Sequence, residues 1–499
     1  MGAALCLVAC RSYSSSPVTV TIVATNDMHG VVWPVKAVWR GEADPPLAGG
    51  FSALSHLVTR IRNEKKNVLL LDAGDFFQGT PEGNMSLGEI PLIVMNYLEY
   101  DALTLGNHDF DFGVEPVISL ARSATFSFLA ANLRIIDPVL SPFFRDYAIF
   151  DVAGVRVLVI GVTTPGLVQY SAPGLENYLL AEKEEDAVRR VIEETAGGYD
   201  VCVVLSHIGD QRDRELAAAV DGIDIIVGGH SHTGIEEPIK VNSTLIVQGH
   251  GRNTTAAVLT FDCRPRTRGV TGASYQLLEL EYDELRRDPA VELLLEYLTA
   301  SVREAVDIEI GWAVEGLARG RELESSPLGS FIADVISQTA GADFALHNRA
   351  GIRADLPSGP VTKRDILEVS PFENTIVVMD MTGAEIMDLL GYIFRRDYYA
   401  YDFSEGISVT VDASAQPDER VAEVLVRNEP VNNARVYRVA TNSFIAEAIA
   451  RHRGPDDPVR IADTGVLLRD AIAGAVSARD EFTYSFSPRV KAIEFEFSR

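Results

Sequence analysis

Along residues 18–280, short runs of β-branched and aliphatic residues alternate with stretches whose apolar positions recur at helical spacing. Strand-like runs fall at 18–24, 68–72, 102–105, 155–162, 201–205, 223–227 and 244–248. Between the first two, Leu54, Leu57 and Ile61 predict a helix from Gly50 with one apolar face. His56 falls on that helix outside any motif and reads as structural. Short strands alternating with amphipathic helices make a layered α/β domain.

The pattern changes at Asp288-Pro289. An acidic N-cap followed by proline in the first turn predicts a helix to about Val306, with Leu293, Leu294, Leu298 and Val302 as its apolar stripe. A lone helix between two regions of mixed pattern reads as a connector. With 499 residues, two domains are expected. The boundaries are a leader and tether at 1–16, a first domain at 17–287, a linker helix at 288–306 and a smaller mixed α+β domain at 307–499. The chain has no internal repeats or low-complexity blocks.

Composition narrows the partners. Hydrophobic content of 47% is globular, and the formal charge of −27 excludes duplex nucleic acid, whose phosphates it would repel. A small anionic substrate fits if cations and a few arginines supply local positive charge. Past the first ten residues, no stretch is apolar for long enough to span a bilayer. Leu7-Val8-Ala9-Cys10 resembles a bacterial lipobox, which would make Cys10 a lipidated first residue on a Ser-rich tether. The alternatives are an ordinary cleaved signal or a chance apolar start; no Lys or Arg precedes the apolar run, so as a signal it is incomplete or its start codon is misplaced. A lipobox or a cleaved signal places the chain outside the cytoplasm, in the periplasm or at the cell surface. The remaining cysteines, Cys202 and Cys263, lie far apart and suggest neither a disulfide framework nor a thiolate metal site.

Several strand runs end in the same chemistry. The first leads to Asn26-Asp27-Met28-His29-Gly30, the second to Gly74-Asp75, the third to Gly106-Asn107-His108-Asp109. The run at 201–205 leads to Ser206-His207, and the run at 223–227 to Gly228-Gly229-His230-Ser231-His232. In an open α/β sheet the carboxyl ends of strands share one edge, which would bring Asp27, His29, Asp75, Asn107, His207, His230 and His232 together. Imidazole and carboxylate donors suit first-row divalent ions. Two ions about 3.5–4 Å apart need a bridging carboxylate, and Asp75 is the candidate. One ion would take Asp27, His29 and His232, the other Asn107, His207 and His230. Zn, Mn, Co and Mg all remain open as the metal.

These motifs resemble the calcineurin-like metallophosphoesterases, and Gly106-Asn107-His108-Asp109-Phe110-Asp111-Phe112-Gly113 resembles the 5′-nucleotidase branch. The resemblance implies a layered calcineurin-like metallophosphoesterase domain joined by a helix to a smaller mixed α+β substrate-binding domain. It implies that His108 meets the substrate phosphate and that Asp111 fixes its orientation and charge. Asp109 and Phe110 read as structural. Relatives acting on 2′,3′-cyclic nucleotides often carry Asn where Asp111 stands, which tilts the expectation toward nucleotide monoesters.

The second domain is similar to the family's substrate reader along most of its length. His347-Asn348-Arg349-Ala350-Gly351-Ile352-Arg353, Pro371-Phe372-Glu373-Asn374-Thr375 and the segments 404–412 and 437–446, the last containing Phe444, carry that likeness. It implies that Phe372 and Phe444 sandwich a base, while Asn348, Arg349 and Arg353 hold base, ribose or phosphate. One departure concerns the residues after Phe444, where the family's Gly-Gly-Asp-Gly loop is missing; Asp456 or Asp457 lie downstream at a different spacing. The likeness also implies that the two domains meet across a cleft and close by rotation, with the hinge at the connector.

The leading expectation is a 5′-nucleotidase acting on a small nucleotide. UDP-sugar diphosphatase and 2′,3′-cyclic-nucleotide phosphodiesterase activity are alternatives within the same chemistry. A non-catalytic surface protein that binds nucleotide or metal is the alternative from another class, opposed by the complete ligand set and the His108–Asp111 pair.

Overall fold

The structure is a computed structural model that describes residues 16–492 apart from 43, 137–142, 168–170, 172–173, 321–325, 397–400, 413 and 455–459. Cys10, Asp456 and Asp457 lie outside the described residues. The chain divides into one compact unit up to Ala300 and a second from Ser301.

The strands of the first unit's two large sheets are β1 (Val18–Thr25), β2 (Val68–Asp72), β3 (Ala102–Thr104), β4 (Ser127–Leu129), β5 (Tyr147–Val152), β6 (Val155–Thr163), β7 (Val201–His207), β8 (Ile225–Gly228), β9 (Ile239–Val241), β10 (Thr244–Val247), β11 (Thr255–Cys263) and β12 (Thr271–Glu279). They form two six-stranded sheets, ordered β12-β11-β1-β2-β3-β4 and β9-β10-β8-β7-β6-β5. Strands β1 to β4 run parallel, as do β6, β7, β8 and β10; antiparallel strands close three of the four sheet edges, and parallel β4 forms the fourth.

The expectation of one open sheet is corrected here. Val20, Ile22, Ala24, Leu69 and Leu71 of one sheet pack directly on Val157, Val159, Val203 and Leu205 of the other. The alternate residues Leu158, Ile160, Cys202 and Val204 face helices α2 (Glu184–Glu194) and α3 (Asp210–Ala219), which follow α1 (Gly50–Glu64) in the chain. Each central strand is thus buried on both faces, so its sequence is continuously apolar and gives no clue to what covers each side. The convergence of strand ends survives the correction, because the parallel strands of both sheets deliver their carboxyl ends to one site.

Helix α1 buries Leu54, Leu57 and Ile61 as its pattern requires. Helix α4 (Pro289–Val306) begins where expected, with Asp288 Oδ1 accepting the backbone N–H groups of Ala290 and Val291. Its buried stripe is a second correction. Val291, Leu295, Thr299, Val302 and Val306 are buried, whereas Leu293 is 68% exposed. Three consecutive leucines left the register open, and the true face includes a threonine that hydrophobicity alone passes over.

The second unit is mixed α+β. Strands β13 (Phe344–Asn348), β14 (Thr375–Thr382), β15 (Tyr401–Phe403), β16 (Val436–Asn442) and β17 (Ile461–Leu467) form a sheet ordered β15-β13-β16-β14-β17. Helices α5 (Pro327–Ala340), α6 (Gly383–Arg396), α7 (Ser443–Arg453) and α8 (Leu468–Ser477) cover it. Ile332, Ile336 and Ile472 pack with Ala345, Ile376 and Val378 on one face, and Ile386, Leu390 and Ile445 with Val377, Met379 and Val439 on the other. Cys202 and Cys263 are buried thiols. Among the described residues, no helix is long and apolar enough to cross a membrane.

Candidate metal centre and substrate-reading residues

The loops after β1, β2 and β8 turn sharply enough to aim neighbouring side chains at one point. Asp27, His29, Asp75, His230 and His232 all adopt left-handed backbone conformations, with φ of 49°, 50°, 55°, 73° and 53°. For an L-residue that conformation costs roughly 1–2 kcal/mol. Strain concentrated on five candidate ligands indicates a geometry fixed for their side chains. Two glycines make room for it. A Cβ at Gly106 would stand 2.1 Å from Asp75 Oδ1, and one at Gly74 (φ +90°) would stand 2.7 Å from the Gly106 nitrogen.

The predicted ligands gather in two groups, Asp27 with His29 and His232, and Asp75 with His207 and His230. Donor atoms within each group lie within 4.8 Å of one another. Asp75 Oδ2 is 3.1 Å from His207 Nε2 and 4.0 Å from His29 Nε2, so its carboxylate reaches both groups. Asn107 follows β3 and its buried Oδ1 has no hydrogen-bond partner.

This donor set fits two cations. His29 Nδ1 lies 2.8 Å from the Gln78 carbonyl oxygen and His207 Nδ1 lies 2.6 Å from that of Ala73. A carbonyl only accepts, so each Nδ1 carries the hydrogen and each Nε2 presents a lone pair. Yet His29 Nε2 faces His232 Nε2 at 3.2 Å, and His207 Nε2 faces an Asp75 oxygen. Nitrogen and carboxylate donors converging in this way suit a shared positive charge. The field agrees. Burial alone would lower the His207 pKa, but Asp75 and Asp27 outweigh it and lift the group to about 10. Burial, with His207 beside it, pushes His230 down to about 4. Burial would raise Asp75, but the His207, His108 and His29 imidazoles hold it well below the usual carboxylate range.

His108 stands apart from the ligands. Its Nδ1 lies 2.8 Å from Asp111 Oδ2, its backbone N–H donates to Asp75 Oδ1 at 2.8 Å, and its ring is 5.6 Å from that of His29. Asp109, read as structural, has a larger part than the sequence disclosed. Buried completely, it accepts the backbone N–H groups of Asp75, Phe76 and Gly106 and so ties two ligand loops together. Asn26 was missed. Its amide donates to Asp27 Oδ2 at 2.7 Å and exchanges hydrogen bonds with the Gly249 backbone. Adjacency to a ligand was its only signal in the sequence.

In the second unit, Asn348 ends β13 and Phe444 lies in the first turn of α7. Arg349 pairs with buried Asp402 through Nε and Nη2, at 2.9 and 3.0 Å. The Arg353 guanidinium stands 5.6 Å from the centre of the Phe372 ring. Ser443 Oγ accepts from the Thr375 N–H and donates to Asn374 Oδ1, so the segments bearing Phe372 and Phe444 lie side by side. All five predicted substrate residues therefore fall at one end of the sheet. Helix α7 runs on to Arg453, so the residues that stand in place of the family's Gly-Gly-Asp-Gly loop continue the helix.

The double-sheet scaffold and paired His/Asp groups define a dimetal phosphoesterase. Comparison with known proteins agrees: residues 20–234 match the calcineurin-like phosphoesterase family and residues 307–450 match the 5′-nucleotidase C-terminal domain. The trifunctional nucleotide phosphoesterase YfkN of Bacillus subtilis is 30% identical over 453 residues, covering 78% of this chain, which spans only 30% of that protein's length. A 5′-nucleotidase of Vibrio cholerae is 28% identical over 481 residues, covering 85% of this chain and 84% of its own. The crystal structure of a 5′-nucleotidase precursor from Thermus thermophilus superposes with a TM-score of 0.86 at 28% identity, covering 96% of this chain and all of the other. The chain belongs to the 5′-nucleotidase/UshA family, as a metal-dependent phosphoesterase with a metallophosphoesterase domain followed by a 5′-nucleotidase C-terminal domain.

Proposed function

We propose that this protein is an extracytoplasmic 5′-nucleotidase that releases phosphate from nucleoside 5′-phosphates and leaves the nucleoside for salvage. The observation that carries the reading is the His108–Asp111 pair beside two convergent His/Asp groups. A protein that only stored nucleotide or metal would have no use for an oriented imidazole outside the ligand set.

Asp27, His29 and His232 would hold one divalent cation and His207 and His230 the other, with the Asp75 carboxylate within reach of both groups and the buried Asn107 Oδ1 available to the second. When bound, such a pair activates water and neutralises charge developing on the phosphoryl oxygens. Asp111 can only accept from His108 Nδ1, which keeps the hydrogen there and favours the imidazolium. A positive ring placed against the phosphate stabilises the charge that grows in the transition state. Phe372 and Phe444 stack the base, and Asn348, Arg349 and Arg353 hold the polar parts of the nucleotide. The relatives named 5′-nucleotidase support this choice of substrate.

A second reading, UDP-sugar diphosphatase or 2′,3′-cyclic-nucleotide phosphodiesterase, is favoured by one observation. The uninterrupted helix after Phe444 alters the segment expected to read the ribose. The apolar start and Cys10 support a lipid-anchored location outside the cytoplasm. Initial rates on AMP, UMP, UDP-glucose and 2′,3′-cyclic AMP separate the readings: fast release from the monophosphates supports the proposal, and rapid UDP-glucose cleavage with inert AMP overturns it.

A further inference from the structure

The side chain of Asn442 is fully buried and lies between two of the predicted substrate contacts. Its Oδ1 accepts the Ile445 N–H at 2.9 Å and thereby caps α7, the helix that carries Phe444. Its Nδ2 donates to Asn348 Oδ1 at 2.9 Å and to His347 Nδ1 at 3.1 Å. The backbone N–H at Oδ1 fixes which end of the amide is oxygen, so the orientation is determined by chemistry rather than by shape.

That orientation propagates. Because Asn348 receives a hydrogen bond on its oxygen, its NH₂ is the end left to meet a ligand. His347 accepts on Nδ1 and so carries its hydrogen on Nε2, and burial pushes its pKa down to about 4, which keeps it neutral. A Cβ at Gly351 would stand 3.1 Å from Asn348 Oδ1 and 3.2 Å from its Nδ2, so the loop closes tightly over this amide.

We infer that Asn442 is a positioning residue for nucleoside selection: it commits Asn348 to donate, and therefore to recognise an acceptor such as a ribose oxygen, a ring nitrogen or a carbonyl, while seating the helix of Phe444. The inference rests on the nucleotide reading and goes beyond it by naming what sets the polarity of that contact.

Asn442→Asp tests it, since Asp caps a helix about as well as Asn but offers acceptors only. Asn348 must then turn its NH₂ inward and its oxygen toward substrate. At pH 8 the KM for AMP is expected to rise about tenfold, the factor set by roughly 1.4 kcal/mol for one reversed hydrogen bond, with kcat within about twofold. In an Asn348→Ala background the same change adds nothing to KM, and kcat/KM on p-nitrophenyl phosphate, which has no ribose or base, moves less than about twofold in either background. Asn442→Ser keeps a cap but loses the reach, and gives the same pattern if the Asp variant folds poorly. An equal rise in KM in both backgrounds, or a parallel loss on the aryl phosphate, overturns the inference alone. Wild-type protein that cleaves the aryl phosphate but not AMP overturns the nucleotide reading instead, and this inference with it.

Discussion

The Nδ1 atom of His108 stands 2.8 Å from Asp111 Oδ2. The backbone N–H of His108 also donates to Asp75, so the loop that fixes the candidate bridging carboxylate also aims the imidazole. His108→Ala is therefore expected to lower kcat by about 10²–10⁴-fold, the range for losing a positioned acid–base group, with metal content unchanged. Asp111→Asn leaves the imidazole in place but weakens its orientation and charge, and is expected to cost about 10–100-fold. Steady-state kinetics with elemental analysis of each variant checks both, and metal loss in His108→Ala would mean it belongs to the ligand set.

Because Asp75 reaches both groups and His232 only one, their removal differs in stoichiometry. Asp75→Ala is expected to bind neither ion tightly, whereas His232→Ala keeps one. Inductively coupled plasma measurement on dialysed protein reads the difference directly. Equal metal content in the two variants would contradict the bridging role.

The carboxyl-end chemistry was legible because each ligand follows a run too apolar to be anything but a buried strand, as with Val68–Asp72 before Asp75. What escaped was whatever depends on three-dimensional neighbours. A strand buried on both faces, such as β7, does not reveal that one side meets a second sheet. The consecutive Leu293, Leu294 and Leu295 do not reveal which of them is inside. Asp109 and Asn26 look like polar residues beside a motif, and only the fold shows their side chains holding the loops that the motif occupies.

Gly106 is required by proximity rather than by its backbone angle. A methyl group 2.1 Å from Asp75 Oδ1 must displace the carboxylate or the loop. Gly106→Ala is expected to cost about 1–3 kcal/mol of stability, as overpacking does, and to weaken metal binding at least tenfold. Thermal unfolding with and without added Mn²⁺ checks it: the variant should gain less than wild type from the ion.

Under the proposed function, Phe372 and Phe444 belong to substrate reading rather than to catalysis. Alanine at either position is expected to raise the KM for AMP about 5–100-fold, corresponding to about 1–3 kcal/mol per stacked base, while hydrolysis of p-nitrophenyl phosphate continues. Loss of both activities together would point to collapse of the second unit's core, against which Phe444 packs.

The proposed extracytoplasmic anchoring rests on Cys10. Cys10→Ser is expected to move the protein from the membrane fraction to the soluble fraction, and intact-mass analysis of the wild-type protein should show a diacylglyceryl adduct on that cysteine. An unmodified mature chain would leave an ordinary cleaved signal.

The most direct test of the dimetal nucleotidase is phosphate release from AMP by chelator-treated protein, before and after restoring Mn²⁺ or Zn²⁺. Negligible release that rises at least a hundredfold as a second equivalent of metal is taken up is the expected result. Release of phosphate from AMP at full rate by metal-free protein, or silence with both ions bound, would contradict it.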